Sequence, residues 1–429
     1  MQILFAALPA EGHFNPLTGV AAHLASRGHD VRWYVGPAYK RKVDALGLQS
    51  FPYRRAVEVT GENINALFPE RARMKGPKLI SFDVDTFFVG NVEKHFDDIT
   101  EIREEFPFDL FFCDGAMYVE KLVAERLGVP VFATGLTTVL PGPGSPPPFF
   151  GLRPARTVVG RTQHRVVRGM LTATMKRGVG HYNTVLDSHG LEPIPSDGFP
   201  QAPMACAGRL FLDGVPGLEF PGYRPPPNAQ FVGPLVPARA LLPPDAPLPT
   251  VITDHETTVV AVSQGTIDNT DPDKLIAPTL EALGDGPYVV VATTGGANTD
   301  RLRERFAGPN IVIEDYLPYS TLFGHVDVFV SNGGWGSTVA ALRHGVPVVG
   351  AGKREGKNDI NARIGYNGLG VDLRTERPRP ARIRAGVQRV LSDERIAANV
   401  NSLRAEFDSY DPLTLITDAV ESLERTASR

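Results

Sequence analysis

Val326-Asp-Val-Phe-Val-Ser-Asn-Gly-Gly-Trp-Gly-Ser-Thr338 is the stretch that decides how the second half of this chain is built. Val326–Val330 is an apolar run that reads as a buried strand. Small and hydroxyl residues follow, and a helix begins near Trp335 and stops at Gly345. Glycines let a backbone approach an anion, and a helix start presents free N–H groups and positive potential. Asn332, Gly333, Gly334, Gly336, Ser337 and Thr338 therefore read as an anion site; a tight strand-to-helix turn explains them equally well on their own. No lysine stands where a P-loop needs one, and no GxGxxG is present.

Two further loops repeat the pattern. Ser263-Gln-Gly-Thr266 follows an expected strand at Val259–Val262, and Thr293-Thr-Gly-Gly296 follows one at Tyr288–Ala292. Three hydroxyl-rich loops at strand ends in one domain are hard to explain by packing and point to a diphosphate or nucleotide. Ser263, Gly265, Thr266 and Thr293 join the candidates.

Outward from there the strand–helix rhythm runs through both halves. Further strands are expected at Ile311–Ile313 and Pro347–Gly350. In the first half they are expected at Ile3–Leu8, Asp30–Val35, 49–53, Asp109–Cys113 and Val129–Ala133. Apolar strands separated by helices predict parallel sheets with right-handed crossovers. The fold class is α/β, two doubly wound Rossmann-like domains facing across a cleft. Residues 55–78 read as a polar mobile loop, 80–105 as one long helix, and 160–188 as another. The segment 136–156 carries Pro141–Phe150 and reads as a surface loop with two aromatics. Pro-rich stretches at 215–227 and 234–249 mark the change of domain, giving 1–235 and 236–411. Leu413, Ile416, Val420 and Leu423 make the closing helix amphipathic.

The bulk properties narrow the function. At 429 residues the chain suits two domains, and 42% hydrophobic with 21% charged residues is ordinary for a globular protein. A net charge of -4 with intermixed signs argues against a nucleic-acid partner. Cys113 and Cys206 form no CxxC or Cys/His cluster, so neither a disulfide framework nor zinc is expected, and a reducing cytoplasm fits. Met1–Leu8 lacks a basic leader flank and runs into Glu11 and His13, so it reads as a first strand. No apolar run is long enough to span a bilayer.

In an open parallel sheet, ligands sit at the carboxyl ends of strands. His13 and Asp114 both fall there. An imidazole can take a hydroxyl proton near neutral pH, with a carboxylate behind it fixing the tautomer. Helix capping is the plainer explanation of each residue. Asp83-Val-Asp85 has the form of a metal-binding DxD, but it lies in an expected helix where i and i+2 point apart, so a solvated helix face is expected instead.

With these residues in view, the chain resembles the inverting GT-B glycosyltransferases of natural products, the macrolide and plant secondary-metabolite enzymes, in a bacterial subgroup. Gly12-His13-Phe-Asn-Pro16 matches the GHxxP motif whose histidine is the base, and Asp114 falls at its partner carboxylate. Ser263–Thr266 matches the donor loop, and Phe231–Leu235 the approach to the linker. Tyr316-Leu317-Pro-Tyr319 matches the stretch contacting the base, and Val330–Leu342 the HGGxxS helix that binds diphosphate. The closing helix, about 412–425, would cross back onto the first domain. Departures are Asn332 for the family's histidine, Tyr319 for its glutamine, and Lys357 and Asn358 for its sugar-gripping Asp-Gln pair, within Glu355–Arg363.

The resemblance implies transfer of a sugar from a UDP- or dTDP-sugar to a hydroxyl of a small, largely apolar acceptor, with inversion and no metal or other cofactor. Glu355, Lys357 and Asn358 become candidates for the donor sugar. Phe87, Phe88, Phe149 and Phe150 become candidates for the acceptor. The expected partners are the two small molecules, with no stable membrane insertion and a monomer or homodimer. Altered donor residues keep two alternatives open: a glycosyltransferase-like protein without activity, and a nucleotide-sugar epimerase on the same fold.

Overall fold

The computed structural model describes residues 1–427 except 62, 137, 139, 141, 143, 200, 243–246, 254, 255 and 266–268, and leaves the side chains of 426 and 427 undescribed. Seven strands form the first sheet: β1 (Gln2–Ala6), β2 (Asp30–Val35), β3 (Gln49–Pro52), β4 (Leu110–Asp114), β5 (Val131–Gly135), β6 (Arg209–Asp213) and β7 (Ala229–Gly233). Six form the second: β8 (Thr258–Ser263), β9 (Tyr288–Thr293), β10 (Ile311–Glu314), β11 (Val328–Ser331), β12 (Val348–Gly350) and β13 (Gly370–Asp372). Their orders are β3-β2-β1-β4-β5-β6-β7 and β10-β9-β8-β11-β12-β13, with parallel pairing along both.

The strands are apolar throughout because helices cover both faces. Along β1, Ile3 and Phe5 enter one hydrophobic cluster while Leu4 and Ala6 enter another, the period-two alternation of a pleated strand. The closing helix, Pro412–Ala427, contributes Ile416, Ala419 and Val420 to the cluster containing Phe5, Phe14 and Trp33. A separate cluster fills the second domain. The strand order reverses direction at β1/β4 in one sheet and at β8/β11 in the other. In open parallel sheets ligands bind at such reversal points, and the carboxyl ends of these four strands carry candidate residues.

The structure departs from expectation in four places. Strands β6, β7 and β13 were not anticipated; Pro-rich flanks surround the first two, and the third has three residues. The helix expected at 80–105 is broken into Pro77–Phe82, a π-helical turn at Asp83–Phe88, a 3-10 turn at Val89–Asn91, and Val92–Glu105. Residues 55–78 are not one irregular loop, since short helical pieces occupy Ile64–Leu67 and Pro69–Arg73. The segment read as a surface loop is also corrected. Ser145–Pro148 are buried, and the turn after them is pinned by the second domain. Among the described residues, no helix is long and apolar enough to cross a membrane.

Candidate active site

Parallel pairing of β1 with β4 sets Ala6 beside Cys113. The first turn of the Glu11–Ser26 helix therefore stands next to the residue that ends β4. His13 Nδ1 lies 2.7 Å from Asp114 Oδ2. For that contact to be a hydrogen bond Nδ1 must carry the proton, which leaves the Nε2 lone pair free. The His13 side chain is 39% exposed and Asp114 only 11%, so the imidazole meets the solvent-facing edge and the carboxylate stands behind it. Burial works to lower the imidazole pKa, but the charge and hydrogen bond of Asp114 outweigh it, and the net shift is upward. Beneath them Glu120 is fully buried and neither of its oxygens has a hydrogen-bond partner. Burial, with the charge of Asp114 adding to it, pushes that carboxyl well above the carboxylate range.

At the other switch point β11 ends at Ser331 and the Trp335–Arg343 helix begins two residues after Gly333. Gly333 takes φ +90, and a Cβ there would lie 2.7 Å from Asn361 Oδ1, so the turn needs glycine both for conformation and for space. The helix has no side-chain cap, and the N–H groups of its first turn point beyond it. Gly336 is exposed, with open space where a Cβ would be. That is a helix start with an unobstructed approach for an anion.

Several neighbours play other parts than the sequence suggested. Asn332 is buried; its amide donates to the Gln264 carbonyl, and its Oδ1 accepts from the Gly334 N–H at 3.1 Å. The first bond joins the two loops and the second tightens the turn of its own loop. Thr338 is fully buried, so its hydroxyl is withdrawn from any ligand. The Ser337 hydroxyl donates to the Gly334 carbonyl at 3.2 Å. The Ser263 hydroxyl donates to the Thr293 carbonyl and accepts from the Gly265 N–H, 3.2 Å each. Thr293 Oγ1 lies 3.1 Å from the Tyr319 hydroxyl. Thr266 lies outside the described residues. Tyr316 is 59% exposed, its hydroxyl donating to the Gly295 carbonyl at 2.8 Å, and Leu317 is half-buried beside it. Burial, then Asp315 and Glu11, raise the Tyr316 pKa. Glu11 belongs to the turn that carries His13, so the loop after β10 faces that turn across the cleft.

The residues expected to grip the donor sugar are turned aside. Lys357 Nζ pairs with Glu355 Oε2 at 2.8 Å, and Asn358 Nδ2 donates to the Phe149 carbonyl at 2.8 Å. Asp359, which was not singled out, accepts from the Phe149 and Gly151 N–H groups, the latter at 2.7 Å. Asn358, expected at the donor sugar, here fastens the first domain's turn. Phe87 and Phe88 stack edge to face at 4.5 Å, Phe88 and Phe149 both pack on the first domain's core, and Phe150 is exposed. The reading of Asp85 is corrected. It is buried, held by Arg177 Nε at 2.7 Å and His181 Nδ1 at 3.0 Å, while Asp83 pairs with Arg71.

Sequence reasoning missed two interdomain links. Asp213, at the end of β6, accepts from Leu235 N–H and from Trp335 Nε1–H, both at 2.9 Å. Trp335 is the first residue of the diphosphate-candidate helix, so this carboxylate ties that helix to the first sheet. Burial raises the Asp213 pKa to about 7 against the lowering effect of both bonds. Arg363 Nε donates to both oxygens of buried Glu219, at 2.8 and 2.9 Å. An acid closing an apolar strand was the available signal for Asp213, but β6 itself went unread. A cavity of about 780 Å³ lined by Phe323, Arg343 and Arg404 opens at the opposite edge of the second sheet, away from these residues.

Comparison with known proteins agrees with this architecture. The family described as "Erythromycin biosynthesis protein CIII-like, C-terminal domain" matches residues 278–423. The 4'-demethylrebeccamycin synthase of Lentzea aerocolonigenes is 33% identical over 98% of this chain and 99% of its own. The demethyllactenocin mycarosyltransferase of Streptomyces fradiae is 25% identical over 98% of this chain and 86% of its own. Among solved structures, the calicheamicin glycosyltransferase superposes with a TM-score of 0.75 at 20% identity, over 98% of each chain. The fold is thus GT-B, and the chain belongs to the natural-product glycosyltransferases, enzymes that use nucleotide sugars.

Proposed function

We propose that this enzyme transfers a sugar from a UDP- or dTDP-sugar to a hydroxyl of a small, largely apolar acceptor, with inversion and without a metal. The observation that carries the reading is the 2.7 Å contact of His13 with Asp114 at the carboxyl edge of the first sheet, opposite an open helix start. The acceptor oxygen attacks the anomeric carbon, the bond to the diphosphate oxygen breaks, and the hydroxyl proton passes to His13 Nε2. Asp114 stabilises the imidazolium. The N–H groups at Trp335, Gly336 and Ser337 take the charge growing on the diphosphate, which is what electrostatic preorganisation requires. The relatives named as a UDP-glycosyltransferase of Phaeomoniella chlamydospora and a mycarosyltransferase of Streptomyces fradiae support a nucleotide-sugar donor and a natural-product acceptor.

The experiment is calorimetric titration with UDP and with dTDP in EDTA, on wild type and His13→Ala. Both proteins should bind one of the nucleotides, and only wild type should then transfer sugar; loss of the base should lower turnover about 100- to 10,000-fold. Full activity in His13→Ala would sink the assignment of the base. The engagement of Asn332, Lys357 and Asn358 within the protein favours a second reading, a glycosyltransferase-like protein with an altered donor site. Absence of binding by either nucleotide to the folded protein would establish that one.

A further inference from the structure

Between 126 and 186 the sequence holds eight Lys and Arg and no Asp or Glu, in a chain whose net charge is -4. Much of that segment is the helix Val158–Ser188. One face of it is core: His164, Leu171 and Met175 are buried. The opposite face of its first turns is apolar yet open. Val158 is 68% exposed, Val159 80%, Val166 56% and Met170 54%. At about 100° per residue, Val159, Val166 and Met170 fall on one stripe. A shallow recess of about 410 Å³ runs along it between Val158 and Val167. On the same arithmetic Arg161, Arg165 and Lys176 lie to one side, next to Val158 and about 80–160° round the helix from the stripe, and have no ion pair among the described residues. Phe150, 41% exposed, stands in the turn just before the helix.

We propose that the first turns of this helix dock the protein peripherally on an anionic phospholipid surface. Four exposed apolar side chains with unpaired cations to one side, on a helix whose one acid, Asp187, lies at its far end, are the pattern that buries its apolar edge at the headgroup boundary while the cations meet lipid phosphates. A second copy of the chain fits the stripe less well, because it would bring the same uncompensated cations face to face. Further along, Gly178 packs against Val84, in the π-helical turn that also carries Phe87 and Phe88. The helix that docks thus also backs the turn holding two of the acceptor candidates, which suits an acceptor that partitions into lipid. The inference stands apart from the donor site and does not depend on it.

The test is flotation of the full chain with phosphatidylcholine vesicles, with and without about 30% phosphatidylglycerol. Binding should require the anionic lipid and should be released near 1 M salt, where screening is complete within about 3 Å. Val159→Ser with Val166→Ser and Met170→Ser, and separately Arg161→Gln with Arg165→Gln, should each weaken binding about ten-fold. Turnover of a water-soluble acceptor should be unchanged in both, which also shows that they fold. No flotation with the mixed vesicles, equal flotation with phosphatidylcholine alone, or binding indifferent to both variants would overturn the proposal. So would a doubled mass by light scattering that the serine variant halves, since the stripe would then be covered by a second copy.

Discussion

At the scale of single residues, ionisation is what couples this structure to measurable behaviour. His13 must be neutral to accept a proton, and its pKa is raised by Asp114. Turnover should therefore climb with pH through an apparent pKa above the ordinary imidazole value. Asp114→Asn should lower that pKa, because burial is then left unopposed, and should also slow the reaction. A pH–rate profile that Asp114→Asn leaves in place would dissociate the pair. The same shift gives the opposite trend in stability: the dyad's contribution is whole below the unfolded imidazole pKa and is lost as pH rises through the folded one. Asp213 makes the second case. Its pKa is 3.8 in the ordinary state and about 7 here, so folding takes up a proton between those values. Its contribution is whole below the first and gone above the second, so the melting temperature of wild type minus that of Asp213→Asn should fall from about pH 5 to about pH 8. A constant difference would mean that Asp213 does not titrate in this range. His13 and Asp114 were legible in the sequence because a strand end is a readable place. Asn332 and Asn358 were singled out from the sequence, but the protein groups their amides bind were not legible, because nothing in a sequence says which way an amide is turned.

At the scale of elements, the apolar strands were legible and the broken helix was not. A π turn adds one residue to a helical run, and the apolar period on either side hides it. The long helix beside it offers a matched pair of tests. A methyl on Gly178 would lie 2.5 Å from buried Val84 Cγ1, whereas Gly180 is exposed with open space around it. Both substitutions gain roughly 1 kcal/mol of helix propensity. At Gly178 overpacking costs about 1–3 kcal/mol and prevails. Gly180→Ala should thus raise the melting temperature and Gly178→Ala should lower it. Equal effects would show that the turn at Asp83–Phe88 gives way freely. The diphosphate-candidate helix was legible from its glycines, while its anchoring through Trp335 was not, since Asp213 lies 122 residues away.

At the scale of the whole molecule, the links between the domains include Asp213 to Trp335, Asp359 to the turn at Phe149–Gly151, and Glu219 to Arg363. The last is deeply buried, with side-chain exposures of 2% and 7%, and Arg363 also lies 4.7 Å from the centre of the Phe220 ring. Arg363→Met should destabilise by about 3–5 kcal/mol in denaturant melts, because the buried Glu219 carboxylate loses its guanidinium partner. Adding Glu219→Leu should recover much of that loss; no recovery would mean that Arg363 acts through packing alone. Such pairs, more than a hundred residues apart, cannot be read along a chain, whereas two parallel sheets can. The closing helix has a different consequence, one that belongs to biosynthesis. Ile416, Ala419 and Val420 complete a cluster whose other members all come from the first 235 residues, among them β1, β2, β4 and the Glu11–Ser26 helix. On the ribosome the first domain keeps an oily flank uncovered while the entire second domain is being made. The order of emergence is therefore not the order of completion: the donor-side domain can close its core first, and nascent chains halted before Pro412 should be the ones that chaperones retain.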